Sequence, residues 1–509
     1  MGNWERGQTR KGTDQVAESY RPDLSILSEQ RINSIVDEAF EILDEVGVLV
    51  QHPEAVELLA GAGARVADDG AHVFLDRQLC EQCLASAPSQ FRLFDRNGEN
   101  PVTIGGRHII FDPGSSALSL YDFDSGEIRA ASTDDVIDFT VLTAQIPTYD
   151  CQSTGLIPSD VPEVLADRFR LLISLVYGSR PVITGTFTKD GFETMHGLLS
   201  AVRGGAQKLR DKPLAVFDCC PTAPLTWSEL TCDALLSCAR TGVPAEIVSM
   251  PLMGATAPVT LAGSIVQHTA ETISGIVIHQ LAGSGMPVVY GGAPALFDMR
   301  KGTTAMGSSE TMLIDSAYSE IGRHFDLPVQ AYMGLSDAKR PDYQAGFETA
   351  IGVVMASLAG VNVVSGPGML NFVNTQSLEK LLLDAEICEM GRRLIRGVEF
   401  RGQTEAIGLL QNLAADRSFM SSTHTRKYFH QETYYPSDLI DRGSEDEWNT
   451  TGRPDSLTRA HDRVRQLVAN ADNPPLDPAI LAEFESIIER DARDHGIESL
   501  PDWKGRISL

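Results

Sequence analysis

The chain has 509 residues, 42% hydrophobic and 22% charged, with 69 acidic against 42 basic residues and a net charge of −27. So acidic a surface repels phosphate backbones, which argues against nucleic acid as a partner and is compatible with a cationic substrate. No apolar run approaches the roughly 20 residues that span a bilayer, and the polar start Met1-Gly-Asn-Trp-Glu-Arg lacks the apolar centre of a secretory signal; a cytoplasmic protein with no membrane partner is expected.

After a polar stretch over residues 1–22, Ser25 to Gly47 follows a helical period, with Leu27, Ile32, Ile35, Ala39, Ile42 and Leu43 on one stripe. Further helices are expected at Pro53–Gly61 and Arg77–Ala87, so that residues 1–100 form a helical N-terminal extension. Asn97 to Ala131 alternates polar and apolar around glycine turns, a pattern of β-ribbons.

From Arg107 to Arg396 short apolar runs alternate with helix-like segments. The runs fall at His108–Phe111, Tyr149–Thr154, Pro181–Phe187, Leu214–Phe217, Ala245–Ser249, Pro287–Tyr290, Pro328–Met333 and Val361–Val364. That rhythm predicts an α/β fold, a TIM (β/α)8 barrel over residues 101–400, whose reacting groups sit where the strands end in βα loops. A bare barrel needs only about 250 residues, so residues 401–509 are a C-terminal extension. It is irregular and ring-rich at first (Phe419, Tyr428, Phe429, Tyr434, Tyr435) and ends in charged amphipathic helices at Ser456–Asn470 and Pro478–His495. Within the barrel, Thr260 to Ala282 reads as the longest helix, Pro341 as the first turn of another, and Ser377 as an N-cap followed by Glu379.

Walker A, Gly-x-Ser-x-Gly and His-Glu-x-x-His sequences are absent. Cys80-Glu-Gln-Cys83 has no second pair to complete a structural zinc site, and Cys219 and Cys220 point to opposite faces of a strand, so no metal is expected. The residues that reach the mouth are Asp112, Asp218 and Asp337, each at or just past a strand end, with Phe217, Tyr290, Tyr332 and Phe372 as rings at comparable heights. Asp before Pro or Gly also caps turns, so both roles stay open for the carboxylates. Rings beside acidic groups suit a methylated ammonium. Ser365, Asn371 and the N–H groups around Gly366 and Gly368 are the donors available to an anionic substituent. The largest mouth pocket is therefore expected to hold at least one of the three aspartates and one ring.

Met250-Pro-Leu-Met-Gly-Ala-Thr, Tyr290-Gly-Gly-Ala-Pro with Phe297-Asp-Met-Arg, Gly334-Leu-Ser-Asp-Ala-Lys with Asp342-Tyr-Gln-Ala-Gly-Phe-Glu, and Val361-Asn-Val-Val-Ser-Gly-Pro-Gly resemble the trimethylamine methyltransferase family over about Leu24 to Arg442. The resemblance implies a TIM-barrel enzyme that moves a methyl group from an amine to the cobalt of a separate corrinoid protein, with no permanently bound cofactor. It also implies a docking rim for that protein, placed at Gly292, Gly334, Ser336, Gly366 and Gly368. Trimethylamine-specific members carry pyrrolysine near the loop that here reads Ser336 to Lys339, and this chain has only standard residues there. It resembles the branch that includes demethylases of glycine betaine and related quaternary amines.

Chemistry points the same way. A quaternary ammonium loses its methyl group and leaves as a neutral tertiary amine, so neither a proton nor a covalent adduct is needed, and no catalytic acid or base is assigned. A homo-oligomer is expected. Two other classes remain: a barrel lyase or isomerase with Asp218 or Asp337 as base, and a non-catalytic betaine-binding protein.

Overall fold

The computed structural model describes residues 21–401, 406–413, 417–471 and 475–506, so most of the polar stretch at residues 1–22 lies outside the described residues. The stripe beginning at Ser25 folds as an α-helix over Glu29–Glu41, capped by Ser28, and continues through a π-helical turn at Ile42–Val46. Gly47 then turns the chain at φ +76°, where a Cβ would lie 2.6 Å from the Val73 carbonyl oxygen. Helices Pro53–Gly61 and Arg77–Ser86 follow. Ahead of both, Val48–Val50 pairs parallel with Thr226–Trp227 and antiparallel with His72–Phe74. Residues 21–100 are thus helices with small sheets, where helices alone were expected, because β-branched Val48 and Val50 bury one face of an extended segment.

Eight of the short strands in the central region form parallel ladders that alternate with helices: β1 (Ile110–Asp112), β2 (Gln152–Ser153), β3 (Val182–Thr184), β4 (Ala215–Cys219), β5 (Ala245–Ser249), β6 (Val288–Gly292), β7 (Gln330–Ala331) and β8 (Val363–Ser365). Each is followed by a helix before the next, from Thr133–Gln145 after β1 to Leu378–Ile395 after β8. Ladder pairing groups them as a five-stranded parallel sheet, ordered β6-β5-β4-β3-β2, and a three-stranded parallel sheet, ordered β7-β8-β1. A parallel bridge between Tyr290 and Val329 links β6 to the approach of β7. At the other junction the Asp150 N–H donates to the Phe111 carbonyl at 2.9 Å. The second strand is shorter than its apolar run because the Asp150 carboxylate takes the Phe111 N–H at 3.2 Å, a bond from a side chain where a ladder would use backbone.

Helix ends follow the sequence closely. Thr260 caps Leu261–Ala282, and Ser377 caps Leu378–Ile395 with Glu379 in its first turn. The exception is the helix Tyr343–Ala359, whose cap is Asp342 rather than a start at Pro341; the Asp342 carboxylate accepts from the N–H groups of Gln344 and Ala345. At the C-terminal end, Ser456–Ala469 packs on Leu378–Ile395 and Thr133–Gln145, and Pro478–Asp494 packs on Gly191–Arg203 and Ala166–Tyr177. Among the described residues no helix is long and apolar enough to cross a membrane.

Register neighbours on adjacent parallel strands share a face. On one face of the eight strands, Ile110, Cys151, Ile183, Val216, Val289 and Val363 form a single buried apolar cluster with Phe91, Leu93 and Ile104. The last three come from the antiparallel hairpin Gln90–Leu93/Val102–Gly105, which seals the strands' N-terminal end with a dry floor. Each fully buried Val, Ile or Phe in it contributes about 1.5–3 kcal/mol relative to exposure.

Candidate active site

Above that floor, nearer the strand C-termini, the same face turns polar. Asp112 lies beyond Ile110, Asp218 beyond Val216, Tyr332 beyond Gln330 and Ser365 beyond Val363, while Glu246 is the register neighbour of both Asp218 and Val289. Asp112 and Glu246 are fully buried, and Asp218 and Tyr332 are partly buried. Gly291 makes room for them: a Cβ there would stand 2.7 Å from the Gln330 amide oxygen and 3.2 Å from Glu246 Cγ.

The hydrogen bonds leave these carboxylates short of partners. Ser365 Oγ donates to Asp112 Oδ1 at 2.9 Å, but Asp112 Oδ2, Asp218 Oδ1, both oxygens of Glu246 and the Gln330 amide nitrogen have none. Tyr332 OH lies 2.9 Å from Ser115 Oγ, either hydroxyl being able to donate, and Tyr332 lowers the Asp218 carboxyl by hydrogen bonding. Burial pushes all three acids upward. Asp112 is raised well above the usual carboxylate range by burial, against the Ser365 hydrogen bond, with Asp218 adding repulsion. Burial raises Asp218 to about 7 despite Arg170 and Tyr332. Glu246 is raised by burial and by the charges of Asp218 and Asp112. Three acids this close share protons rather than ionise together unless a cation joins them.

One arginine shares the chamber. Arg170, fully buried on the helix Ala166–Tyr177, donates from Nη1 to the Thr154 carbonyl at 2.8 Å and to Ser116 Oγ at 3.0 Å. Its Cζ lies 4.5 Å from the centre of the Phe187 ring, and its Nε and Nη2 have no acceptor. Sequence reasoning missed Arg170, Glu246, Gln330 and Ser115. The signal for two of them was available as a charge inside an apolar run, Glu246 in Ala245–Ser249 and Arg170 in Phe169–Tyr177.

The structure brings Asp112, Asp218, Tyr332 and Ser365 together and takes the other expected site residues elsewhere. Strand alternation turns Phe217 outward onto Phe192, ring centres 4.9 Å apart. Tyr290 likewise faces the helix layer, its OH donating to Thr269 Oγ1 at 3.2 Å. Asp337 is a loop bracket: its oxygens accept from Met306 N and Gly307 N, 3.0 Å each, and burial lifts it to about 6. Phe372 lies under its own cation, Lys339 Nζ at 3.5 Å from the ring centre.

The expected docking rim is also corrected, since Gly292, Gly334, Ser336, Gly366 and Gly368 are all buried. A Cβ on Gly292 would strike His268 Nε2 at 2.2 Å, and Ser336 Oγ donates to Glu348. The Gly368 N–H is taken by Asp384 at 2.7 Å and Asn371 reaches Thr375 Oγ1 at 3.3 Å, so neither awaits a ligand anion.

One cavity lies away from the strand C-termini, where the pocket was expected. It has a volume of about 1180 Å3 and is lined by Tyr149, Asp150, Arg180, Glu386 and Tyr434, among others, and by none of Asp112, Asp218 or Asp337. The expected absence of a metal can be set beside one cluster, Asp190, Asp491 and His495, within mutual ligand reach. Its carboxylates are already paired with Arg168.

A repeating β-strand and helix protein with a buried, under-partnered acidic chamber at the strand C-termini is a small-molecule enzyme in outline. Residues 3–496 match the family described as Trimethylamine methyltransferase (MTTB). The chain belongs to that family and is a methyltransferase, which sets aside the lyase, isomerase and non-catalytic readings. It is 32% identical to the glycine betaine methyltransferase of Desulfitobacterium hafniense over 94% of this chain and 99% of that one. It is 29% identical to a trimethylamine methyltransferase MttB of the same species, covering 93% and 95%. Among solved structures, the monomethylamine methyltransferase of Methanosarcina barkeri aligns over 87% of this chain and 94% of its own, at TM-score 0.49 and 13% identity.

Proposed function

We propose that the protein removes a methyl group from a quaternary amine, glycine betaine or a related betaine, by direct displacement without pyrrolysine, and delivers it to a corrinoid on a separate protein. The observation that carries this is a cluster of three carboxylates, Asp112, Asp218 and Glu246, four of whose oxygens are buried without a protein partner, in a methyltransferase. A cation placed among Asp112, Asp218 and Glu246 satisfies them, and the rings of Tyr332 and Phe187 border it. The corrinoid supplies cobalt(I), the nucleophile that accepts the methyl group. The chain's own residues bind and orient the ammonium and exclude water, contributions that reach about 7–11 kcal/mol at best.

Loop residues 336–339 are Ser, Asp, Ala and Lys, which suits a pre-charged substrate that needs no covalent activation. Exposed Phe187, Met250, Val259 and Met299 follow β3, β5 and β6 and offer the partner an apolar edge in place of the buried rim glycines. We read the two parallel sheets as arcs of one eight-stranded barrel, joined at Tyr290–Val329 and Asp150–Phe111, with extensions over residues 1–100 and 401–509. Tyr343, Phe347 and Ile351 expose one apolar stripe on a helix, which supports a homo-oligomer. A cytoplasmic location suits the reduced cysteines.

Incubation with cob(I)alamin and a panel of quaternary and tertiary amines tests the reading through the absorbance of methylcobalamin. Methylation by a betaine and not by trimethylamine is expected. Methylation by trimethylamine alone, or by no amine, overturns the reading.

A further inference from the structure

Two of the buried polar groups at the chamber are of the wrong sign for holding an ammonium. Nε and Nη2 of Arg170 are donors on a guanidinium with no exposed surface and no acceptor in the protein. The other edge of the same group is fixed by the Thr154 carbonyl and Ser116 Oγ, and its face by the Phe187 ring, so the free edge has a set direction. No carboxylate forms an ion pair with it among the described residues. Asp167, three residues earlier on the helix, is spent on Arg168, Thr186 Oγ1 and the Phe187 N–H. Asp218 lies near enough to be felt but not to bond, and its own free oxygen is unpartnered. Burial depresses Arg170 to about 10, which still leaves it charged near neutrality.

A buried guanidinium edge of this kind is completed by a planar anion accepting side-on. We infer that Arg170 receives the carboxylate of the substrate, so that the chamber reads a zwitterion, with the ammonium on the acidic side formed by Asp218 and Glu246 and the carboxylate on Arg170. This rests on the proposed quaternary-amine reading and adds to it the residue that separates betaines from simple quaternary cations. The donors considered from the sequence do not serve: Ser365 already donates to Asp112 and the Gly368 N–H to Asp384.

The test is calorimetric binding to the full chain of three ligands: glycine betaine, its neutral amide and choline. The wild type is expected to bind glycine betaine roughly 10- to 150-fold more tightly than the amide or choline, the range of a charge-assisted hydrogen bond. In Arg170→Gln the preference should fall to within about threefold, the amide and choline being little changed. Equal binding of all three by the wild type overturns the inference, and so does a preference that survives in Arg170→Gln. If the variant does not fold, the wild-type ligand series decides alone. Failure of the underlying reading looks different: none of the three ligands binds and none methylates cob(I)alamin.

Discussion

Arg168 and Arg170 leave the same helix in different directions, both without exposed surface. Arg168 meets Asp167 at 3.1 Å and Asp190 at 2.9 Å, and its Nε bonds Asp491 of the C-terminal helix, so every edge of the guanidinium is used. Arg170 keeps two nitrogens unused beside acids that also keep oxygens unused. Burial and charge are equal in the two places; completeness of pairing is not. A paired buried cation fixes architecture, and an unpaired one set near unpaired acids is a place prepared for something else.

The sharpest way to break that comparison is Arg168→Met. It leaves the fully buried Asp167 carboxylate hydrogen-bonded but without its counter-charge, and a loss of about 3–5 kcal/mol of folding stability is expected, read by denaturant unfolding. Betaine affinity of the folded fraction should hold within a few fold. If instead stability is kept and binding lost, the division between the two regions is wrong.

The double substitution Asp218→Asn, Glu246→Gln is expected to do the reverse. Neutral isosteres remove two buried charges, so stability should hold or rise, while affinity for a quaternary ammonium falls about 100-fold, or about 2.8 kcal/mol. Thermal melting reads the first, and titration calorimetry at constant pH the second.

Acidity gives a smaller and graded effect. Asp218 is raised to about 7, so an ammonium should bind progressively more weakly as pH falls below that value, by at most about tenfold per unit. Without ligand the sign for stability is opposite. A carboxyl whose folded value is raised contributes stability that is complete below its unfolded value near 4 and lost as pH rises through about 7. Melting temperature against pH, with and without betaine, should therefore slope in opposite directions over that window. The smallest change expected is Asp337→Asn, costing about 1–3 kcal/mol through one mismatched backbone N–H and leaving ligand affinity unaltered.

Much of this fold was legible because it rests on local rules. Capping by Ser377 and Thr260, the helices Pro53–Gly61 and Pro478–Asp494 and the positions of the strands all follow from periodicity and terminal chemistry. The site was half legible. Placing residues at strand ends found Asp112, Asp218, Tyr332 and Ser365, but a one-residue step along a strand reverses the face, and Phe217 and Tyr290 fell on the wrong one. Glu246 was passed over because its neighbours are apolar, although an acid inside such a run needs a reason to be there. Arg170 lies on a helix, outside any reading that looks only at strand ends, and its role depends on what Asp167 is already bonded to, which no spacing encodes.

The hairpin that packs Phe91, Leu93 and Ile104 against the strands has a consequence for the order of events. On the proposed barrel reading, with the hairpin closing the far end, the chamber opens at the strand C-termini and the methyl acceptor must stand in that opening. The amine has to enter before the partner arrives, and its demethylated product has to wait until the partner departs. Turnover is then a strictly ordered sequence, and an excess of partner protein competes with the amine by blocking the door.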